Sequence, residues 1–160
     1  NLPDSSLIAR RIVPINITLC ASPTYLDRNG KPNSPTALTH HQCLAYNLTS
    51  NYEYWNLYDV EGQVTRIKIT PYLKASNGEF LRDAAVDGLG IALIPTFIVY
   101  KEIESGALVP ILDRYCYSSL AVYAIYPQTR HLSQRVRVFI DFLIKRFEKC
   151  PYWDSHLTKR

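Results

Sequence analysis

This sequence predicts an α/β fold with a mainly parallel sheet, divided between two lobes, on three observations. Strand-like apolar segments alternate along the chain with helices that carry recognisable caps. The run Ile91-Ala92-Leu93-Ile94, bounded by Gly90 and Pro95, has no polar alternation, as expected of a strand covered on both faces in a parallel sheet. Finally, the chain makes a long excursion from Ile15 to Leu112, and the apolar run from Leu120 to Tyr126 is placed to cross back.

Leu2 to Ser6 is turn-rich, and Leu7 to Val13 forms a short strand that Pro14 interrupts. Ile15 to Leu19 alternates with period two and runs into Cys20-Ala21 as a second strand. Ser22 followed by Pro23 is a cap with proline at the first helical position, opening a short helix that Asn29-Gly30 ends. Ser34-Pro35 repeats the device for a one-turn helix ending near His40-His41. Adjacent histidines lack the three- or four-residue spacing that places two ligands on one helix face, so no metal is expected there.

Cys43 to Tyr46 is a short strand. Tyr52 to Tyr58 and Val64 to Ile69 alternate across the Glu61-Gly62 turn, as in a half-exposed antiparallel ribbon with Trp55 and Tyr58 in packing roles. Asn77 caps a helix in which Phe80, Leu81, Ala84 and Ala85 recur at helical spacing, and Gly88 closes it. The start of that helix, Ser76 to Gly78, is a candidate ligand contact, because the first amides of a helix lack partners and carry partial positive charge. A further helix runs from Pro95-Thr96 to Ser105-Gly106, Leu108 to Leu112 is a strand, and Leu120 to Tyr126 reads as a central strand. Ser133 caps a long amphipathic helix with Val136, Phe139, Ile140, Leu143, Ile144 and Phe147 on one stripe. Pro151 to Arg160 reads as a tail.

The chain is globular by composition, with 47% apolar and 20% charged residues and a net charge of +4. Its cations are dispersed, so no nucleic-acid footprint is expected in this sequence. Cys20, Cys43, Cys116 and Cys150 form no C-x-x-C pair, and Cys20 and Cys43 sit in apolar stretches, which favours free buried thiols in a reducing cytoplasm over a disulfide framework. The triplets Asn16-Ile17-Thr18 and Asn47-Leu48-Thr49 resemble glycosylation acceptors but arise often by chance. No secretory leader is visible, and the apolar runs are too short for a membrane span.

Catalytic signatures are missing: there is no G-x-S-x-G elbow, no Walker lysine loop, no H-E-x-x-H and no G-x-G-x-x-G. Gly88-Leu89-Gly90 closes a helix ahead of a strand, the reverse of the dinucleotide fingerprint. A binding module is therefore expected rather than an enzyme, with no catalytic residue, no metal and no cofactor.

Four segments in order carry a resemblance: Leu2 to Ile12, Leu19 to Leu26, Gly88 to Pro95, and Tyr126-Pro127 with Arg130 to Ser133 and Val136 to Leu143. Together they resemble the effector-binding domain of LysR-type transcriptional regulators, most closely the CrgA-like subgroup, over nearly the whole chain. The resemblance implies a two-lobed periplasmic-binding-protein type 2-like fold. Residues 1–20 and 120–149 would form a partial first lobe with the crossover strands, 21–119 the second lobe and 150–160 a C-terminal tail. It also implies that a winged helix-turn-helix, a linker helix and the opening half of the first lobe lie outside this sequence, which reads as an N-terminally truncated fragment. DNA binding is then assigned to no residue here, and the apolar faces of Leu120 to Tyr126 and of the last helix should be partly uncovered, with dimerisation or exchange of elements as compensation.

By position, the effector-binding residues implied are Ser76, Asn77 and Gly78 at a helix start, Tyr46 at a strand end, and Thr96 and Phe97 after the buried strand. Capping by Asn77, core packing by Phe97 and packing of Tyr46 against Trp55 are the alternatives. The expected partners are a small-molecule effector held between the lobes, a second copy in a homodimer or homotetramer, and DNA only through the absent segment, with no membrane. The alternative function is a solute-binding protein of a transport system, which would require export and would pair its cysteines.

Overall fold

The structure, a computed structural model, describes residues 7–115, 120–128, 133–147 and 151–154. In chain order the elements are β1 (Leu7–Pro14), β2 (Ile17–Ala21), α1 (Pro23–Asn29), a 3-10 turn (Pro35–His40), β3 (Cys43–Tyr46), β4 (Tyr54–Tyr58), β5 (Val64–Lys68), β6 (Pro71–Ala75), α2 (Gly78–Val86), β7 (Ile91–Pro95), α3 (Thr96–Glu104), β8 (Val109–Ile111), a 3-10 turn (Asp113–Tyr115), β9 (Ala121–Pro127), α4 (Gln134–Phe147) and a last 3-10 turn (Tyr152–Asp154). They form two compact units, one of Asn16–Ser118 and one of Asn1–Ile15 with Ser119–Arg160. Leu2 to Ser6, Cys116, Arg130 to Leu132, Cys150 and residues 155–160 lie outside the described residues.

The larger unit is built on a five-stranded sheet in the order β6-β3-β7-β2-β8. β6, β3 and β7 run parallel, whereas β2 is antiparallel to both β7 and β8. The sheet is therefore mixed, which corrects the expectation of a mainly parallel one. An unbroken apolar run reports that both faces are covered, and it reports nothing about the direction of the neighbouring strand.

Both faces are covered, and period-two alternation divides the strand residues between them. Leu19, Cys43, Ala45 and Ile91 face a core with Tyr25 of α1, Leu38 of the 3-10 turn, and Trp55, Leu57 and Ile67 of the β4-β5 ribbon. Cys20, Leu44, Ala92 and Ile94 face Leu81, Ala84 and Ala85 of α2 and Val99 of α3. The expected packing role of Trp55 is what the core shows.

Two of the expected caps are made by side chains, whereas Ser34, expected to repeat the device of Ser22, makes no cap hydrogen bond and places its Oγ 3.0 Å from Thr36 Oγ1. Ser22 Oγ accepts the Tyr25 N–H at 3.3 Å, with Pro23 at the first helical position. Asn77 Oδ1 accepts the Phe80 N–H at 2.9 Å. After α2 the chain turns through Gly88 at φ +77°, a left-handed conformation in which glycine has no Cβ penalty. Strand β6 is not anticipated by the sequence reading. It is an edge strand that begins at Pro71 and carries only partly buried or exposed side chains, so its apolar signal is weak.

In the smaller unit β1 pairs antiparallel with β9 from Leu7↔Pro127 to Pro14↔Ala121, with an irregularity between Arg11 and Val13. Helix α4 packs on β1, burying Ile140, and Arg10 Nη2 meets Asp141 Oδ1 at 2.8 Å. Among the described residues β9 pairs with β1 alone, so the run read as a central strand is not central here. Val122, Tyr123 and Ile125 of β9 and Val136, Val138, Phe139 and Phe142 of α4 are exposed, as expected of partly uncovered faces. Of the stripe on α4, Ile140 is buried, Leu143, Ile144 and Phe147 are partly buried, and Val136 and Phe139 are exposed. Where a tail was expected, Trp153 is buried, its ring 5.3 Å from that of Phe147.

Among the described residues Cys20 and Cys43 are buried thiols outside any disulfide, on opposite faces of the sheet. Burial pushes the Cys43 thiol up to about 12, so the reactive thiolate is scarce at neutral pH. Iodoacetamide is expected to leave Cys43 unmodified in the native chain and to alkylate it in denaturant without reductant, as read by peptide mass spectrometry. Rapid native labelling would contradict the burial, and labelling that requires reductant would show a disulfide.

Candidate functional site

Because β6, β3 and β7 are parallel, their C-terminal ends share one edge of the sheet. The antiparallel β2 starts at that same edge, with Ile17 opposite Pro95. Helices α2 and α3 leave from it, α2 after the Ser76-Asn77 link from β6 and α3 directly from β7. Tyr46, Ser76, Asn77, Gly78, Thr96 and Phe97 are therefore gathered on one rim, although Tyr46 and Phe97 are 51 positions apart in sequence (46 to 97). In open α/β sheets, ligands bind at such carboxyl ends.

The register sets Tyr46 opposite Ala75, beside the start of the β6-α2 link, and the Asn47 N–H donates to the Ala75 carbonyl at 3.0 Å. Tyr46 and Ser76 are exposed. Asn77 commits its Oδ1 to the cap, leaving the Nδ2 amide as the part of its side chain not used by the helix. Gly78 is the first residue of α2, and a β-carbon there would come within 2.6 Å of Ile98 Cδ1, so glycine lets the opening turns of α2 and α3 approach closely.

Thr96 and Phe97 divide the work at the start of α3. Thr96 is 0% exposed; its N–H and its Oγ1 both donate to the Asn16 carbonyl, at 3.0 and 3.2 Å, which ties α3 to the head of β2. Phe97, 44% exposed, stands on the rim. The rim thus carries two exposed aromatic side chains, Tyr46 and Phe97, a serine, an asparagine amide and two helix starts, groups of the kind that contact small polar molecules.

Behind the rim, Arg82 links the two helices. Its Nη2 lies 2.8 Å from Asp83 Oδ1 and its Nε lies 3.7 Å from Glu102 Oε1 on α3. The hydrogen bond to Asp83 raises the Arg82 pKa. Of the other described groups with displaced pKa values, Tyr25, His41 and Cys43, none is on this rim; they cluster at the opposite edge, where β2 ends and β3 begins. Among the described residues no group of three or more His, Cys, Asp and Glu is placed to hold a metal.

Sequence reasoning missed Asn16, Asn47 and the Arg82–Glu102 link. Asn16 and Asn47 were noted only as parts of chance triplets, and both act through backbone atoms, which no side-chain motif records. The Arg82–Glu102 contact joins two helices and has no local signature.

A mixed sheet covered on both faces, with helix starts and strand ends converging on one rim, defines an α/β domain of the ligand-binding type of architecture. Residues 1–148 match the LysR substrate binding domain, and the chain belongs to that family. It is 35% identical over 145 residues to the HTH-type transcriptional regulator CrgA of Neisseria meningitidis serogroup C, covering 90% of this chain and 48% of CrgA. It is 34% identical over 143 residues to the HTH-type transcriptional regulator DmlR of Escherichia coli K12, covering 89% of this chain and 46% of DmlR. The regulatory domain of Neisseria meningitidis CrgA superposes with a TM-score of 0.75 at 34% identity, over 91% of this chain and 71% of that one. The full-length Vibrio cholerae virulence activator AphB superposes with a TM-score of 0.76 at 33% identity, over 90% and 49%. The fold is thus the periplasmic-binding-protein type 2-like fold of LysR regulatory domains. The chain spans about half the length of the curated relatives it matches.

Proposed function

We propose that this chain is the effector-sensing part of a LysR-type DNA-binding transcriptional regulator, and that Tyr46, Ser76, Asn77, Gly78 and Phe97 contact the effector, with Thr96 holding the start of α3 in place. The observation that supports this reading is the convergence of these residues on the carboxyl rim of one sheet in a chain of this family. The helix starts favour an anionic group on the effector. Occupancy acts on DNA only if the effector prefers one conformation of the regulator, which it would convey through a homodimer or homotetramer to a winged helix-turn-helix outside these residues. The regulator works in the cytoplasm and is not an enzyme. The HTH-type regulators among its relatives favour this over a transport solute-binding protein, and no described helix is long and apolar enough to cross a membrane.

The test is calorimetry of the intact regulator against a panel of small carboxylates, followed by variants at position 77. Asn77→Ala is expected to cost about 0.5–2 kcal/mol of stability through the lost cap and to weaken effector binding. Asn77→Ser keeps a cap, so it should retain stability while still weakening binding. Unchanged affinity in both variants would reduce Asn77 to a cap.

A further inference from the structure

The sheet edge opposite the rim holds a polar cluster that effector binding leaves unused. Tyr25 is buried, and its hydroxyl reaches the two residues that lead into β3. The Gln42 backbone N–H donates to Tyr25 Oη at 3.0 Å, and the same oxygen stands 3.1 Å from His41 Nδ1. The His41 N–H closes the first 3-10 turn on the Leu38 carbonyl at 3.1 Å, and the Gln42 carbonyl accepts the N–H of Ile91, the first residue of β7, at 2.8 Å. One phenol hydroxyl therefore joins α1, the 3-10 turn and the entry ends of two neighbouring strands.

A tyrosine hydroxyl has a single proton to give. Its oxygen already receives the Gln42 N–H, and with His41 in the Nε2–H tautomer its proton goes to Nδ1, which accepts it only while unprotonated. Protonation at Nδ1 reverses that bond and strands the Tyr25 hydroxyl proton at a buried site, a costly arrangement.

We propose that Tyr25, His41 and Gln42 form a proton-sensitive brace on the entry ends of β3 and β7, closed while His41 is neutral and released when its ring is protonated. The charged and titratable groups on the elements around His41 are His40 beside it, Tyr25, Asp27 and Arg28 on α1, Cys43 at the head of β3, and Arg66 and Lys68 on β5, which packs on the 3-10 turn. The one carboxylate among them, Asp27, is exposed on α1, and burial and His40 rather than a carboxylate set the direction of the His41 shift. Burial, and after it the charge of His40, holds the His41 pKa below its ordinary 6.5. The unfolded chain then takes up the proton first as pH falls, so stability is complete above about pH 6.5 and is lost as pH drops below it. β3 and β7 are only four and five residues long and end in Tyr46 and Pro95 at the rim, so the brace bears on the strands that carry the candidate site.

Long-range proton–nitrogen NMR of the His41 ring tests this in the full chain. The brace requires the Nε2–H tautomer, titration below the ordinary value, and a rise of that pKa in Tyr25→Phe, which removes the donor to neutral Nδ1. Melting temperature should fall as pH drops below about 6.5, the ordinary imidazole value, and should fall less in His41→Asn, whose side-chain oxygen can accept the tyrosine proton at either pH. An Nδ1–H tautomer, a His41 pKa at or above the ordinary value, or an undiminished acid loss in His41→Asn would overturn the proposal. If either variant fails to fold, the wild-type tautomer and titration decide it alone.

Discussion

Truncating Leu81 to alanine is expected to lower the unfolding free energy by about 2–5 kcal/mol, the range for removing a fully buried leucine side chain and leaving a cavity. Leu81 is 1% exposed, and the other buried side chains of α2 are Ala84 and Ala85, which are too small to seat a helix by themselves. The loss therefore falls on the anchoring of α2 against Leu44, Ala92 and Ile94. Since α2 begins at Asn77 and Gly78, effector affinity should weaken with it. Urea unfolding checks the first effect and calorimetry the second. Phe80→Ala next door is the control: that side chain is exposed, and the change should stay within about 0.5 kcal/mol. A Leu81→Ala cost no greater than that of the control would show that the apolar face of α2 does not hold it.

Gly90→Ala is expected to destabilise by about 1–3 kcal/mol or more, the range for inserting a carbon into a packed site. A β-carbon there would run into the Gln42 carbonyl oxygen and lie 3.0 Å from its carbon, both backbone atoms. That carbonyl also accepts the Ile91 N–H, so it cannot retreat without breaking the junction of β3 and β7. Two other glycines calibrate the result. At Gly78 the obstacle is the tip of the Ile98 side chain, which can rotate away. At Gly62 there is open space but a φ of +80°, so alanine pays only backbone strain, about 1 kcal/mol. Thermal unfolding should rank Gly90→Ala as the least stable of the three, and parity with Gly62→Ala would contradict the close approach.

Much of the fold was legible because its signals are local. Ser22 and Asn77 cap the helices their side chains announce, Gly88 turns left-handed after α2, and the alternation of Tyr54 to Tyr58 against Val64 to Lys68 marks a ribbon with Trp55, Leu57 and Ile67 turned inward. β6 escaped because an edge strand with a proline at its head and one face against solvent carries little apolar pattern. The apolar composition of Leu120 to Tyr126 suggests a central strand, but composition does not say which neighbours a strand finds, and among the described residues β9 pairs with β1 alone.

For the opening stretch of α2 and its strand, sequence by itself determined the helix start, the glycine stop, the buried character of Ile91 to Ile94 and the family to which the chain belongs. Only the tertiary structure decided that β2 runs antiparallel to β7, that Tyr46 lies opposite Ala75, and that Thr96 is buried against Asn16 while Phe97 stays on the rim. The reason is physical: caps, turns and periodicity act within a few residues, whereas strand order and the convergence of distant chain ends are set by long-range pairing and burial, which leave no mark at any single position.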